Sequence, residues 1–192
     1  MSSDAWVVAG LGNPGKNYAS TPHNVGYLVL DVLAERMGGT FSRHARANAE
    51  VLSGRLVEHR VVLARSRDYM NTSGGPIKGV LDYDKVTPDH LIVIHDELDL
   101  PLGTIKTKLG GGDNGHNGLK SIRQSLGTGD YYRVRLGIGR GAGSTDPATH
   151  VLKPFAGKER TEVELTVQLA ADVVESLISD GLDVTQNRFH GS

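Results

Sequence analysis

The side chains with which this sequence can do chemistry are its histidines, carboxylates, amides and hydroxyls, because it contains no cysteine. Without thiols there is no disulfide framework, no thiolate zinc site and no cysteine nucleophile. Among the eight histidines, His23 has the most telling place. It follows Pro22, which biases Thr21 toward an extended backbone, and it stands just ahead of an amphipathic helix, so its ring belongs to a loop end. A histidine that accepts a proton near neutral pH needs an acceptor on its other ring nitrogen. Asp96, behind the apolar run HLIVIH, is the candidate, since open α/β sheets place their sites at the carboxyl ends of their strands. Two plainer alternatives stay open. His23 can be a polar helix cap, and His95-Asp96-Glu97 can coordinate a metal, although no H-E-x-x-H or other ligand spacing occurs.

Three amides sit in glycine-bounded turns: Asn13, Asn71 in YMNTSGG and Asn117 in GHNGL. Asparagine is common in turns for local reasons. Three at loop–helix junctions can also supply donors and acceptors to a carbonyl and its developing oxyanion. Ser73 follows no G-x-S-x-G pattern, which disfavours a serine nucleophile. Gly10, Gly12 and Gly15 match G-x-G-x-x-G after a strand, with Asp31 and Glu35 downstream, as a dinucleotide-binding fingerprint does. That site needs a helix opening inside the glycine run to hold the pyrophosphate. Pro14 and Pro22 delay the helix, so a tight turn presenting Asn13 is the better reading.

The elements that must position these groups read as follows. Trp6 to Ala9 is a buried strand entering a long glycine-rich loop. A helix spans about 24 to 37, stopped by Gly38-Gly39. Residues 47 to 66 form an antiparallel hairpin with a break at Glu58-His59-Arg60. A short helix covers Ser73 to Tyr83, His90 to His95 is a buried strand, and Thr104 to Leu109 is another. Helix follows from about Asn117 to Leu126, then a strand with one basic face from Tyr132 to Gly139, then a long helix from about 158 to 180 stopped by Gly181. Strands interleaved with helices make an α/β domain, and the hairpin makes its sheet mixed.

With 192 residues and 38% hydrophobic content, the chain has material for one domain of ordinary size. No run approaches the ~18 apolar residues of a membrane span, and MSSDAWVVAG lacks a signal core. A soluble globular protein is therefore expected. Net charge is −1, yet residues 104 to 140 hold seven cations (Lys106, Lys108, Lys120, Arg123, Arg133, Arg135, Arg140) against Asp113 and Asp130, a local +5 that leaves −6 elsewhere. That asymmetry predicts a docking face for an anion, with a solvated helix and charged strand ends as the plain alternative.

In order along nearly the whole chain, GLGNPGKNYASTPHNVGY, YMNTSGG, IHDELDLPLGTIK, GGGDNGHNGLKSI and RVRLGIGR resemble bacterial-type peptidyl-tRNA hydrolases. The resemblance implies one cytoplasmic, monomeric domain over 1–192, with a central mixed sheet flanked by helices on both faces. It implies hydrolysis of the ester joining a peptide to the 3′ ribose of tRNA, which rescues tRNA dropped off the ribosome. The partner is then peptidyl-tRNA, through its acceptor stem and peptide; no membrane, metal, cofactor or obligate protein partner is implied.

Carried over by position, His23 resembles the base that activates water, Asp96 the carboxylate that stabilises it, and Asn13 the residue that separates N-blocked from free aminoacyl-tRNA. Tyr18, Tyr69, Asn71 and Asn117 match positions holding the tRNA end and the ester. Met70 matches the peptide channel, and Lys108 and Arg135 match phosphate contacts, in keeping with the local +5. Three positions depart from the pattern. Pro22 replaces an Arg, Asn114 a Gly and Tyr69 a Phe, so a polar contact beside the base and the glycine loop are the features in question. Non-catalytic RNA-binding proteins share this fold, and the intact His, Asp and Asn set argues against that class.

Overall fold

The computed structural model describes residues 4–141 and 146–190. A seven-stranded sheet runs through it, built from β1 (Trp6–Gly10), β2 (Ser42–Arg43), β3 (Ala49–Leu56), β4 (His59–Ser66), β5 (Leu91–Glu97), β6 (Ile105–Leu109) and β7 (Tyr132–Gly137) in the order β2-β3-β4-β1-β5-β7-β6. The four central strands β4, β1, β5 and β7 are parallel, and the outer strands pair antiparallel. Parallel strands buried on both faces read as unbroken apolar runs, as WVVA and LIVI do. Alternation then sorts their side chains. Val8, Ile92 and Ile94 pack with α1 (Val25–Met37) and α5 (Gly157–Asp180). Val7, Ala9 and Val93 pack with α2 (Gly74–Asp84) and α3 (Asn117–Leu126) on the other face. The mixed α/β sheet with helices on both faces is thus as the sequence reading has it.

Between β1 and β5 the chain reverses its direction of travel across the sheet, the place where such sheets open a crevice beyond their strand ends. Glycines set how closely α1 approaches that edge. A Cβ on Gly10 would lie 2.5 Å from the Gly26 carbonyl oxygen, and one on Gly26 would lie 2.6 Å from the Ile94 carbonyl oxygen. These glycines serve helix–strand contact. Because α1 opens only at Val25, no helix N-terminus lies inside the Gly10–Gly15 run to receive a pyrophosphate.

Several boundaries differ from the sequence reading. The hairpin turns at Val57-Glu58, both at positive φ, a two-residue turn whose twist matches its strands without the usual Asn-Gly. β5 runs on to Glu97, so Asp96 belongs to the strand. Three short elements had no periodic signal: β2, α4 (Pro147–His150) and α6 (Leu182–Phe189). The last packs on the edge strand β6, where the Thr107 N–H donates to His190 Nε2 at 2.7 Å and Gln186 Nε2 donates to the Thr107 carbonyl at 2.9 Å. Those bonds cover an edge that would otherwise expose unpaired backbone groups. No helix among the described residues is long and apolar enough to cross a membrane.

Candidate active site

A cleft of about 510 Å³ opens at the carboxyl ends of β1 and β5, and Asn13, His23, Met70, Asn71, Asp96 and Asn117 all line it. Each arrives from a different segment. Pro22 opens a 3₁₀ turn, Pro22–Asn24, ahead of α1, and is itself buried. Proline suits that first position because its fixed φ costs the turn nothing and no N–H is lost from a bond. Thr21 before it is extended (φ −92°, ψ 153°), as expected of a residue preceding proline. The turn is tied down where the His23 N–H donates to the Val151 carbonyl at 2.9 Å.

His23 Nδ1 lies 2.7 Å from Asp96 Oδ2 across 73 residues of sequence. An ionised carboxylate only accepts, so the proton of this bond sits on Nδ1 and Nε2 keeps its lone pair for the cleft. Asp96 is only 2% exposed. Its other oxygen, Oδ1, accepts from His116 Nε2 at 2.7 Å. Burial alone would raise the Asp96 carboxyl, but His116, by electrostatic attraction and by its hydrogen bond, together with the hydrogen bond from His23 outweighs it and holds the group well below the usual carboxylate range.

His116 belongs to the cleft and to this cluster, and the sequence reading did not single it out. It is the N-cap of α3, and its Nδ1 accepts from the Gly118 and Leu119 N–H groups at 3.1 and 3.4 Å. Capping therefore leaves Nε2 as the protonated nitrogen that donates to Asp96. A histidine three residues ahead of a helix-interior leucine was the available signal, since N-cap acceptors precede the first turn.

The same capping bears on metal binding. His23, Asp96 and His116 are the ligand-type side chains gathered here, their donor atoms within 4.8 Å of one another. For a metal to take His116 Nε2, that nitrogen must lose its proton while Nδ1 still accepts two N–H bonds, which makes the ring an imidazolate. A metal on His23 Nδ1 would in turn remove the lone pair from Nε2. The donor set fits a proton relay and does not fit a cation.

The amides divide by what their own fold uses. Asn13 and Asn24 form a ladder, with the Asn13 N–H donating to Asn24 Oδ1 at 2.9 Å and Asn24 Nδ2 donating to the Asn13 carbonyl at 2.8 Å. The Met70 N–H then donates to Asn13 Oδ1 at 2.7 Å, so the NH₂ is the end left for the cleft. Asn71 and Asn117 are exposed and line the cleft with both ends of their amides uncommitted by any hydrogen bond among the described residues. Met70 is buried on the cleft wall. Tyr18 and Tyr69 lie outside that lining and meet edge to face at 6.3 Å, with Tyr69 59% exposed beside Met70. Pro147, Ala148, Val151 and Leu152 around α4 also line the cleft, residues with no chemical signal in sequence.

Lys108 and Arg135 line a separate recess of about 240 Å³ with His95, Glu97 and Arg133. The basic face expected of β7 is only partly available there. Arg133 is 1% exposed and donates to the carbonyls of Gly111 and Gly112 and, at 3.0 Å, to that of Gly129. Its charge pins the glycine loop 110–115. Arg140 pairs with Asp99. Asn114 sits in that loop at φ +51°, a conformation asparagine tolerates better than most residues.

Comparison with known proteins identifies the family. The family model for peptidyl-tRNA hydrolase matches residues 7–192. A peptidyl-tRNA hydrolase of Rhodococcus erythropolis is 53% identical over 190 residues, covering 99% of this chain and 100% of the relative. One of Frankia alni is 54% identical over 185 residues, covering 96% and 93%. The crystal structure of the Acinetobacter baumannii peptidyl-tRNA hydrolase matches with a TM-score of 0.90 at 30% identity, covering 98% of this chain and 96% of that one. The chain belongs to the peptidyl-tRNA hydrolase family.

Proposed function

We propose that this chain hydrolyses the ester between peptide and tRNA with His23 as general base, and that residues 1–192 act as one such domain. His23 Nε2 takes a proton from water as the water oxygen attacks the ester carbonyl carbon. The tetrahedral intermediate then collapses with loss of the ribose 3′ oxygen, which receives the proton from His23, giving tRNA and a peptide carboxylic acid that loses its remaining proton to solvent. Asp96 keeps the Nδ1 proton in place and stabilises the imidazolium that forms, while Asn71 and Asn117 donate to the oxyanion. The Asn13 NH₂, fixed by the Met70 bond, is suited to accept-only groups such as a peptide carbonyl. A free α-ammonium, which only donates, finds no partner there, and this supports the assignment of Asn13 to the choice of N-blocked substrates.

Tyr18 and Tyr69 offer ring faces to the tRNA end. Met70 lines the start of the peptide path, and Lys108 and Arg135 take acceptor-stem phosphates. The reading extends to a monomer acting in the cytoplasm on peptidyl-tRNA.

The observation that carries the proposal is the 2.7 Å bond between His23 Nδ1 and the buried Asp96 carboxylate at the cleft. His23→Ala is expected to lower kcat on N-acetylaminoacyl-tRNA by roughly 10² to 10⁴, the range for a positioned base. Turnover within threefold of the unaltered protein would remove His23 from that role.

A further inference from the structure

Glu97 stands on the wall shared by the two cavities, lining both the cleft and the recess of Lys108 and Arg135. It is buried at the end of β5, and both of its oxygens are engaged. Oε1 accepts from Arg135 Nη2 at 3.1 Å and Nε at 3.4 Å. Oε2 accepts from Asn114 Nδ2 at 3.2 Å and from the Asp99 N–H at 3.4 Å. One of the two cations assigned to phosphate is therefore neutralised before any ligand arrives. A phosphate that reaches Arg135 competes with a carboxylate already bonded to it and meets that carboxylate's like charge. Yielding Arg135 still leaves Glu97 a place to go, because its Oε2 bonds are independent of that side chain. Asn114 anchors this second hold, its amide also donating to Asp99 Oδ2 at 2.7 Å.

We propose that Glu97 is an affinity-setting residue: it competes with tRNA phosphate for Arg135, Asn114 retains it while the phosphate is bound, and its return to Arg135 helps expel deacylated tRNA. This rests on the reading of Arg135 as a phosphate contact. The opposite role is equally concrete. If Glu97 merely aims the guanidinium at the ligand, its loss must weaken binding.

Glu97→Gln keeps size and one of the two acceptor oxygens but removes the charge, so the two roles predict opposite signs. Deacylated tRNA should bind E97Q about five- to tenfold more tightly, with KM for N-acetylaminoacyl-tRNA lowered alike. The slope of log Kd against log salt should change little, since Arg135 meets a phosphate in both proteins and only the competing carboxylate charge is gone. Unchanged or weaker binding overturns the proposal. Asn114→Gly keeps the positive φ and removes only the amide; it should weaken tRNA binding about threefold, and the E97Q/N114G pair should bind as E97Q does. Additive effects would sink the role given to Asn114. Arg135→Ala separates the two levels of inference. If it leaves tRNA affinity and salt slope unchanged, the phosphate reading fails and takes the Glu97 proposal with it; if it weakens both while E97Q does not tighten binding, the Glu97 proposal alone fails.

Discussion

Asp96→Asn tests the site most sharply, because the structure dictates which way the new amide must face. His116 Nδ1 is occupied by the Gly118 and Leu119 N–H groups, so His116 Nε2 can only donate to residue 96. The amide oxygen must accept that bond, which turns the amide NH₂ toward His23 Nδ1 in place of an acceptor. His23 Nδ1 then has to accept, its proton moves to Nε2, and the lone pair that should take a proton from water is gone. Where a carboxylate-to-amide change forces the wrong tautomer with geometry kept, kcat falls by about 10⁴. We expect a loss of roughly 10³ to 10⁴, equivalent to about 4 to 5.5 kcal/mol of barrier, with KM nearly unchanged. Asp96→Ala leaves His23 free to choose its tautomer and should be no worse than the isosteric change. The double variant D96N/H116A should be about tenfold more active than D96N alone, since removal of the His116 donor lets the amide turn over. The assay is single-turnover hydrolysis of N-acetylaminoacyl-tRNA, run cold because loss of the N-cap costs α3 about 0.5 to 2 kcal/mol. D96N activity within tenfold of the unaltered protein, or above that of D96A, would refute the tautomer argument.

Stability against pH should carry the signature of His95, whose imidazole is pushed down to about 3 by burial first and then by the electrostatic influence of the neighbouring His116 ring. Between that value and the ordinary histidine range the unfolded chain binds a proton that the folded chain excludes, so stability rises with pH and falls on acidification by up to about 1.4 kcal/mol per unit. His95→Asn should flatten the dependence of Tm on pH between 4.5 and 6, and an identical slope would show that burial does not keep the proton off His95. Asp96 does not contribute in that window, because its held-down carboxyl (folded below unfolded) loses stability only as pH drops past the ordinary aspartate range. A methyl on Gly118 would lie 2.6 Å from Met70 Sδ, 2.8 Å from Leu11 Cδ1 and 3.1 Å from His116 Cε1. Gly118→Ala should therefore lower kcat/KM about tenfold and stability by about 1 to 3 kcal/mol, and unchanged turnover would mean that Met70 moves without consequence.

Local chemistry made much of this protein legible from its residues alone. The apolar runs WVVA and LIVI fall on buried parallel strands because both faces of a central strand meet helices, and the steps of three and four in 25–37 and 163–178 place the stripes that cover them. Gly38 ends α1 in the left-handed conformation (φ +71°) that glycine adopts without cost. Even Asn13, His23, Asn71, Asp96 and Asn117 could be singled out one by one, since each lies in a turn or loop ahead of a helix, at a helix's first residue or near the end of a strand.

What no reading of the linear chain decides is which of these groups meet, and at which atoms. The Asp96 carboxylate joins His23 and His116 from 73 residues upstream and 20 residues downstream, through a neighbouring of β1 and β5 set by the packing of two helical layers. Charge is misread for the same reason: the local +5 counts Arg133, which the fold buries against carbonyls, and Arg135, which it bonds to Glu97. A side chain's charge and ring nitrogens belong to the sequence, but whether they remain available is decided by the partners that tertiary contact brings within 3 Å.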